Sequence, residues 1–297
     1  MGELGQIAFT DIAARNTFPF FALTGIVIIS TFLVWVPFLF RFQSLFGLKI
    51  KNSNFQYIYK NYDGPLYIIP AKTFYHPQLI DKIGIELPLS KKYFAAHLPF
   101  YPLLIRLFAP IAGYMKSMVF VNLLATITLA LIFYFITLNL KLSKKPFLLS
   151  FVFLFLPRFL IVRSIGAPES LFISLILFSL YSFEKKKFFL AGLTGFLATT
   201  TKIPGILLFA GYLLTLFFQY LKKKKLKWQW LFIFLIPLGL LSVFFLYAQQ
   251  YHDFFAYFHS GNNELFSFPF SIFNFQKKWV GTGWLEDVIF YFFIYLI

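Results

Sequence analysis

The stretch Leu98-Pro-Phe-Tyr-Pro-Leu-Leu-Ile-Arg-Leu-Phe-Ala-Pro-Ile-Ala-Gly113 decides how this chain folds. It is apolar enough to enter a membrane, yet it holds three prolines, Pro99, Pro102 and Pro110, and a cation, Arg106. Proline removes a backbone donor and breaks an ordinary helix. An arginine at mid-membrane depth is costly. The segment therefore reads as an interfacial helix and not as a crossing. The choice sets the sidedness of everything before it. If 98–113 crossed, the polar loop 41–97 would share a face with the lysines downstream. If it lies along the interface, that loop faces the other way.

Outward from this stretch the chain is a series of apolar runs. Of its 297 residues 59% are hydrophobic, 23% aromatic and only 13% charged, and the mean hydropathy is +0.75. A soluble domain of this size could not cover such a surface with polar groups. Runs near the length of a bilayer core predict crossings at Phe18–Phe40, Met118–Leu140, Pro146–Val162, Glu169–Phe183, Phe188–Thr201, Ile203–Leu221 and Trp230–Ala248. The first is too long for a signal-peptide core and no small-residue cleavage site follows it, so it reads as an uncleaved span. Val288–Ile297, ten apolar residues, is too short to cross and reads as an incomplete eighth span. The expected fold is an all-α membrane bundle in one domain over residues 1–297, with seven full spans.

The net charge of +16 could suggest nucleic acid. Its placement argues for none: Lys141, Lys144 and Lys145, then Lys185–Lys187, then Lys222–Lys225 with Lys227, sit at the ends of apolar runs. Lysines there are orientation signals, and they put all three clusters on the cytoplasmic side. The N-terminus is then inside. The loop 41–113 and a second polar loop, 249–286, are outside. There is no cysteine, hence no disulfide and no thiol chemistry.

Asn61-Tyr-Asp-Gly-Pro-Leu-Tyr67 puts one isolated acid, Asp63, among aromatics in the first outer loop. Arg163-Ser-Ile-Gly-Ala-Pro-Glu169 and Lys202-Ile-Pro-Gly205 put two cations and a second acid on the same expected face. Positive charge there runs against the orientation rule, and ionisable groups at membrane depth mark functional sites. The bland readings are a turn or capping acid for Asp63, a helix-start charge for Glu169, and snorkelling cations for Arg106 and Lys202. The sequence shows no phosphate-cradling glycine loop. His76, His97, His252 and His259 have no metal-ligand spacing. Asp253, Glu264, Glu286 and Asp287 belong to the second loop and have no assigned place.

Taken in order, Tyr62-Asp-Gly-Pro-Leu-Tyr67, His97-Leu-Pro-Phe-Tyr-Pro-Leu-Leu-Ile-Arg106, Ala167-Pro-Glu-Ser-Leu-Phe172 and Ala191-Gly-Leu-Thr-Gly-Phe-Leu-Ala198 running into Lys202-Ile-Pro-Gly205 form a series. The series resembles the bacterial and archaeal membrane proteins related to GPI mannosyltransferase II (PIG-V type), within the GT-C glycosyltransferase superfamily. The resemblance covers roughly residues 18–260. It departs from the family pattern at Tyr62, where a tryptophan is usual. It implies a donor sugar carried on a polyprenyl or dolichyl phosphate, a hexose such as mannose, and an acceptor glycan, lipid or protein. It also implies an essential acid in the first outer loop, which Asp63 matches, and a site on the extracytoplasmic face of a multi-pass cell-membrane protein. On that reading Asp63 is the base of an inverting displacement and Glu169 a second acid. Arg163, Lys202, His97 and Arg106 are the cations for the leaving phosphate. Tyr62, Tyr67 and Tyr101 stack on sugar, with Tyr59, Phe74 and Tyr75 as further aromatics. No cofactor is expected, and divalent-metal dependence is left open. The competing classes are a transporter or flippase of lipid-linked sugars and a non-catalytic envelope scaffold. A transporter should show inverted repeats and broken helices at mid-membrane, and no repeat is visible.

Overall fold

A computed structural model describes residues 17–50, 53–84 and 90–261. The incomplete eighth span and most of the second polar loop, with Glu264, Glu286 and Asp287, lie outside the described residues.

The described chain is mainly helical. Its one sheet is a small antiparallel hairpin, β1 (Ser44–Leu45) with β2 (Leu48–Lys49). In a lipid core every backbone donor and acceptor has to be satisfied within the segment, and helices do that. Helix α1 is Thr17–Leu39. The loop after it folds into α2 (Gln56–Lys60), α3 (Gly64–Thr73), α4 (Pro77–Lys82), a 3-10 turn at Lys91–Ala96 and α5 (Phe100–Ala112). Next come α6 (Tyr114–Asn139), α7 (Pro146–Leu154), α8 (Pro157–Val162), α9 (Glu169–Glu184) and α10 (Phe188–Thr201). A 3-10 turn at Ile203–Ile206 leads into α11 (Leu207–Lys223), and another at Trp228–Phe234 leads into α12 (Leu235–Tyr251).

Four of these segments are long and apolar enough to cross a membrane: Thr17–Leu39, Tyr114–Asn139, Ile203–Lys223 and Trp228–Tyr251. This is a helical membrane protein. The other expected crossings are shorter. Helices α9 and α10 have 16 and 14 residues. The run 146–162 is two helices, broken where Leu156 turns extended (ψ 126°) ahead of Pro157. Proline disfavours helical geometry in the residue before it, which is why the run splits there.

Helix α5 is shorter than a straight crossing requires. Its 13 residues reach about 20 Å, against about 30 Å of hydrocarbon. Both of its ends lie against the single helix α3. The Tyr101 ring meets Tyr67 edge-on at 5.1 Å, while Ala112 and Gly113 share a cavity with Pro65, Ile68 and Lys72. Helix α5 thus packs along α3 over its length. One side of α5 buries Tyr101, Pro102, Ile105 and Ala109; the other exposes Leu103, Leu107 and Ile111.

Two faces follow. On one, Trp35 Nε1 near the end of α1 donates to the Ser164 carbonyl (2.6 Å). Tyr101 Oη donates to Met118 O in the second turn of α6 (2.8 Å), and Tyr247 Oη near the end of α12 donates to Ala95 O (2.8 Å). The loop helices, the start of α9 and the end of α10 gather there. The opposite helix ends carry the three lysine clusters. Among the buried residues of α9 and α10 are Ser170, Ser174, Ser179, Ala191, Gly195 and Ala198. Such small side chains let membrane helices approach closely.

Candidate functional site

Asp63 stands at the entrance to α3. Tyr62 before it takes a left-handed turn (φ 49°), a conformation disfavoured for a bulky residue. The Asp63 carbonyl accepts from the backbone N–H groups of Leu66 and Tyr67, but the carboxylate makes no capping bond. The capping role, the bland reading of this acid, is therefore unfilled. Gly64 presses on the loop ahead of α9: a Cβ built on it would lie 3.3 Å from the Gly166 carbonyl and 3.1 Å from that of Tyr59. A Cβ on Gly166 would fall 2.3 Å from Met118 Sδ, inside contact distance. Gly64 lets the start of α3 close on the 163–168 loop, and Gly166 lets that loop close on Met118 of α6.

Between the start of α3 and the 163–168 loop lies a recess of about 60 Å³, bordered by Tyr62, Asp63, Tyr67, Ala167, Pro168 and Glu169. Glu169, the first residue of α9, receives Lys202 Nζ on Oε1 at 2.5 Å, across 33 positions of sequence. Its Oε2 is shut off from solvent and has no hydrogen-bond partner. Both partners are about one-third exposed, at 32% for Lys202 and 36% for Glu169. Lys202 is placed by the end of α10, where the backbone turns extended before Pro204. The Asp63 carboxyl is held above the usual carboxylate range, first by burial and then by the nearby Glu169 charge, with Lys202 opposing. Burial and the same two carboxylates also push the Tyr67 phenol up.

His97 completes the group. It is 1% exposed, its ring meets Tyr67 edge-on at 4.8 Å, and Nδ1 has no partner. Burial and the Lys202 charge lower its pKa from 6.5 to about 4. His97 is thus neutral at neutral pH and can hydrogen-bond. It is not the cation that the sequence reading expected at the leaving phosphate.

The structure therefore brings together Asp63, Glu169, Lys202, His97, Tyr62 and Tyr67. It separates Arg163 and Arg106 from them, and it buries Tyr101 against the Tyr67 ring. Arg163 is 1% exposed and turns back into the bundle. Its guanidinium donates to Leu154 O (3.1 Å), Thr31 Oγ1 (2.9 Å) and Ser30 Oγ (2.9 Å). It stitches the α7–α8 break to α1, so its expected place at the donor phosphate is corrected. Arg106 is exposed on the outer side of α5 and does not border the recess. Tyr101 is fully buried with its hydroxyl on Met118 O, which removes it from sugar stacking. Tyr75 is likewise fully buried, its hydroxyl on the His97 carbonyl at 2.5 Å.

Three contributors escaped the sequence reading. Asn122 Nδ2 donates to Val162 O (3.0 Å) and Ile165 O (2.6 Å) and so holds the loop that backs Asp63. A lone amide inside an apolar span was a legible signal for it. Gly166 was visible only as a glycine in a loop. Tyr93 tilts over His97 at 6.0 Å. Asp253, unplaced by the sequence, binds Lys92 Nζ (2.8 Å) and His259 Nδ1 (2.9 Å), tying the 3-10 turn at Lys91–Ala96 to the chain after α12. Among the described residues no group of three or more acidic, histidine or cysteine side chains is arranged to hold a metal ion.

Comparison of the chain with protein families, with curated proteins and with solved structures returned no match.

Proposed function

We propose that this protein is a membrane glycosyltransferase of GT-C type. It moves a hexose, mannose on the resemblance above, from a polyprenyl-phosphate carrier to an acceptor hydroxyl at the extracytoplasmic face of the cell membrane. The observation that carries the reading is one recess that joins an uncapped acid, Asp63, to the Lys202–Glu169 pair on the face opposite the lysine clusters. Orientation by positive charge makes that opposite face the outer one. The seven-span count belongs to this proposal, with α7–α8, α9 and α10 as short or broken crossings.

The chemistry is a single displacement. Asp63 takes the proton of the acceptor hydroxyl. The acceptor oxygen forms a bond to the anomeric carbon as the bond from that carbon to the phosphate oxygen breaks. The carrier leaves as its phosphate, beside the Lys202 ammonium. A base with a raised pKa suits proton abstraction near neutral pH, and the upward shift of Asp63 supports that role. No second carboxylate at retaining spacing is needed, because no glycosyl-enzyme forms. Glu169 orients Lys202, and neutral His97 with Tyr67 offers hydrogen bonds to sugar hydroxyls. A transport reading is less favoured, because these groups gather at helix ends on one face, not at the repeat interface near mid-membrane.

The test is transfer by the purified full chain from polyprenyl-phosphate mannose to a panel of glycan, lipid and peptide acceptors. Asp63→Asn should keep the fold and slow transfer by about 10²- to 10⁴-fold. Turnover near wild type in that variant removes Asp63 from the mechanism. Failure of the wild type with every donor sugar removes the reading as a whole.

A further inference from the structure

Helix α11 ends in Lys222 and Lys223, and Lys224 caps it in a left-handed turn (φ 51°). Lys225, Leu226 and Lys227 then lead to the 3-10 turn Trp228–Phe234, which folds back beside α11. A cleft of about 390 Å³ lies between the two, with Leu213, Phe217 and Tyr220 on the α11 wall and Leu226, Trp228 and Leu231 facing them. That volume falls in the range of about 300–1,000 Å³ found for ligand cavities. Its walls are apolar and open: Leu226 is 77%, Trp228 69% and Leu231 66% exposed. Lys227 stands in the lining, and Lys222–Lys225 are exposed beside it. Among the described residues no carboxylate pairs with any of these lysines.

We propose that this cleft seats an anionic phospholipid of the leaflet on the lysine side. Orientation of the chain needs the charges but not a cleft beneath them. A cavity with aliphatic and aromatic walls under a rim of exposed lysines, one of them over the Tyr220 ring at 5.8 Å, matches a molecule with acyl chains and one anionic head. Trp228 and Trp230 are the residue type that settles at the headgroup level, and each lysine near an anionic surface adds attraction. A nucleic acid or an acidic peptide would match the rim and leave the apolar walls unfilled. The groove between α6, α9 and α11 offers a contrast, since its lining includes Glu184 and so lacks an all-cationic rim. The proposal stands apart from the glycosyltransferase reading, and its test needs no turnover.

The experiment is native mass spectrometry of the delipidated full chain. It is titrated with phosphatidylglycerol and with phosphatidylcholine of identical acyl chains. Phosphatidylglycerol should bind at least fivefold tighter. Lys225→Gln with Lys227→Gln leaves Lys222–Lys224 in place to keep orientation. That pair should lower phosphatidylglycerol affinity about fivefold per lysine, the factor given by about 1 kcal/mol each, and leave phosphatidylcholine unchanged. Leu213→Trp fills the cleft with every lysine intact and should lower phosphatidylglycerol affinity by fivefold or more. Leu231→Trp from the facing wall serves the same end if the first variant does not elute as a single species. Equal affinity for the two lipids overturns the proposal. Wild-type phosphatidylglycerol affinity in both filling variants also overturns it, since the lysines would then attract anions without a seat. So does displacement of the lipid by a short RNA or a polyglutamate peptide, which would give the lysines to that partner.

Discussion

Acidification should destabilise this protein through one side chain, His97. The ring is 1% exposed, lies edge-on to Tyr67, has an unpartnered Nδ1 and feels the Lys202 charge. Its pKa in the folded chain is about 4, against 6.5 for a free histidine. The difference, about 2.5 units at about 1.4 kcal/mol each, is worth about 3 kcal/mol. Because the folded value is the lower one, the unfolded chain takes up the proton first as pH falls. The contribution is full above about pH 6.5, erodes below it and is gone below about pH 4. The assay is unfolding of the purified protein in detergent micelles from pH 8 to pH 4, beside His97→Asn, which does not titrate. Asp63 and Asp253 titrate in both proteins and cancel in the difference. Wild-type stability minus variant stability should fall by about 3 kcal/mol across the window. Parallel loss in the two proteins refutes the burial argument and restores His97 as a cation available to phosphate.

The remaining predictions concern the site and its sidedness. The acid limb of the kcat/KM profile should lie above the usual carboxylate range. Glu169→Gln, which removes a charge that raises the Asp63 pKa, should move the limb to lower pH; Lys202→Ala, which removes one that lowers it, should move it to higher pH. Shifts in the same direction would rule out Asp63 as the titrating base. Lys202→Ala should also weaken donor binding by about 1.5–3 kcal/mol, the worth of a charge-assisted bond. Arg163→Ala should lower stability by about 1–3 kcal/mol for each buried group left without its partner and leave donor affinity unchanged. Loss of affinity without loss of stability would return Arg163 to the phosphate. Single cysteines are clean reporters in a chain that has none. A cysteine replacing Asn61 should react with an impermeant reagent from outside, and those replacing Lys144, Lys186 or Lys224 only after the membrane is opened. Shielding of position 61 would place Asp63 on the lysine side and end the outward-facing reading.

The expectation of a short, non-crossing helix at 98–113 rested on local chemistry. Three prolines and an arginine in 98–113 weaken a crossing whatever the rest of the chain does, and α5 lies with both ends on α3. The helix boundaries were legible from the apolar runs, but Pro157 was read through and the α7–α8 break was missed. The site was half legible. Asp63 stood out as an isolated loop acid and Lys202 as a cation against the orientation rule; Lys202 pairs with Glu169, and Asp63 and His97 lie within electrostatic reach of that pair. Arg163 stood out by the same rule, and there the rule failed, since sequence position gives the depth of a residue and not the direction of its side chain. Its direction is set by Ser30 and Thr31, more than 130 positions earlier. Nothing in the 163–169 motif points to them.

The charge balance of the recess constrains how it could work. Two carboxylates, Asp63 and Glu169, border it, one ammonium, Lys202, pairs with Glu169 from outside the lining, and neutral His97 adds no charge, so the resting site carries a net negative charge. An anionic phosphate entering there meets repulsion unless Lys202 turns to it. Lys202 is held by Glu169 Oε1, and Glu169 Oε2 already lacks a partner. Release of Lys202 would therefore leave a partly buried carboxylate with no hydrogen bond on either oxygen, a costly state. Under the proposed function the substrate has to supply what Glu169 loses, and sugar hydroxyls are donors of the right kind. Phosphate on Lys202 and a hydroxyl on Glu169 would then be gained together. A lipid phosphate without its sugar would satisfy only the first. Under that proposal the pair would select for the loaded carrier over the spent one, which is the discrimination that a transferase needs and that a bare phosphate site does not provide.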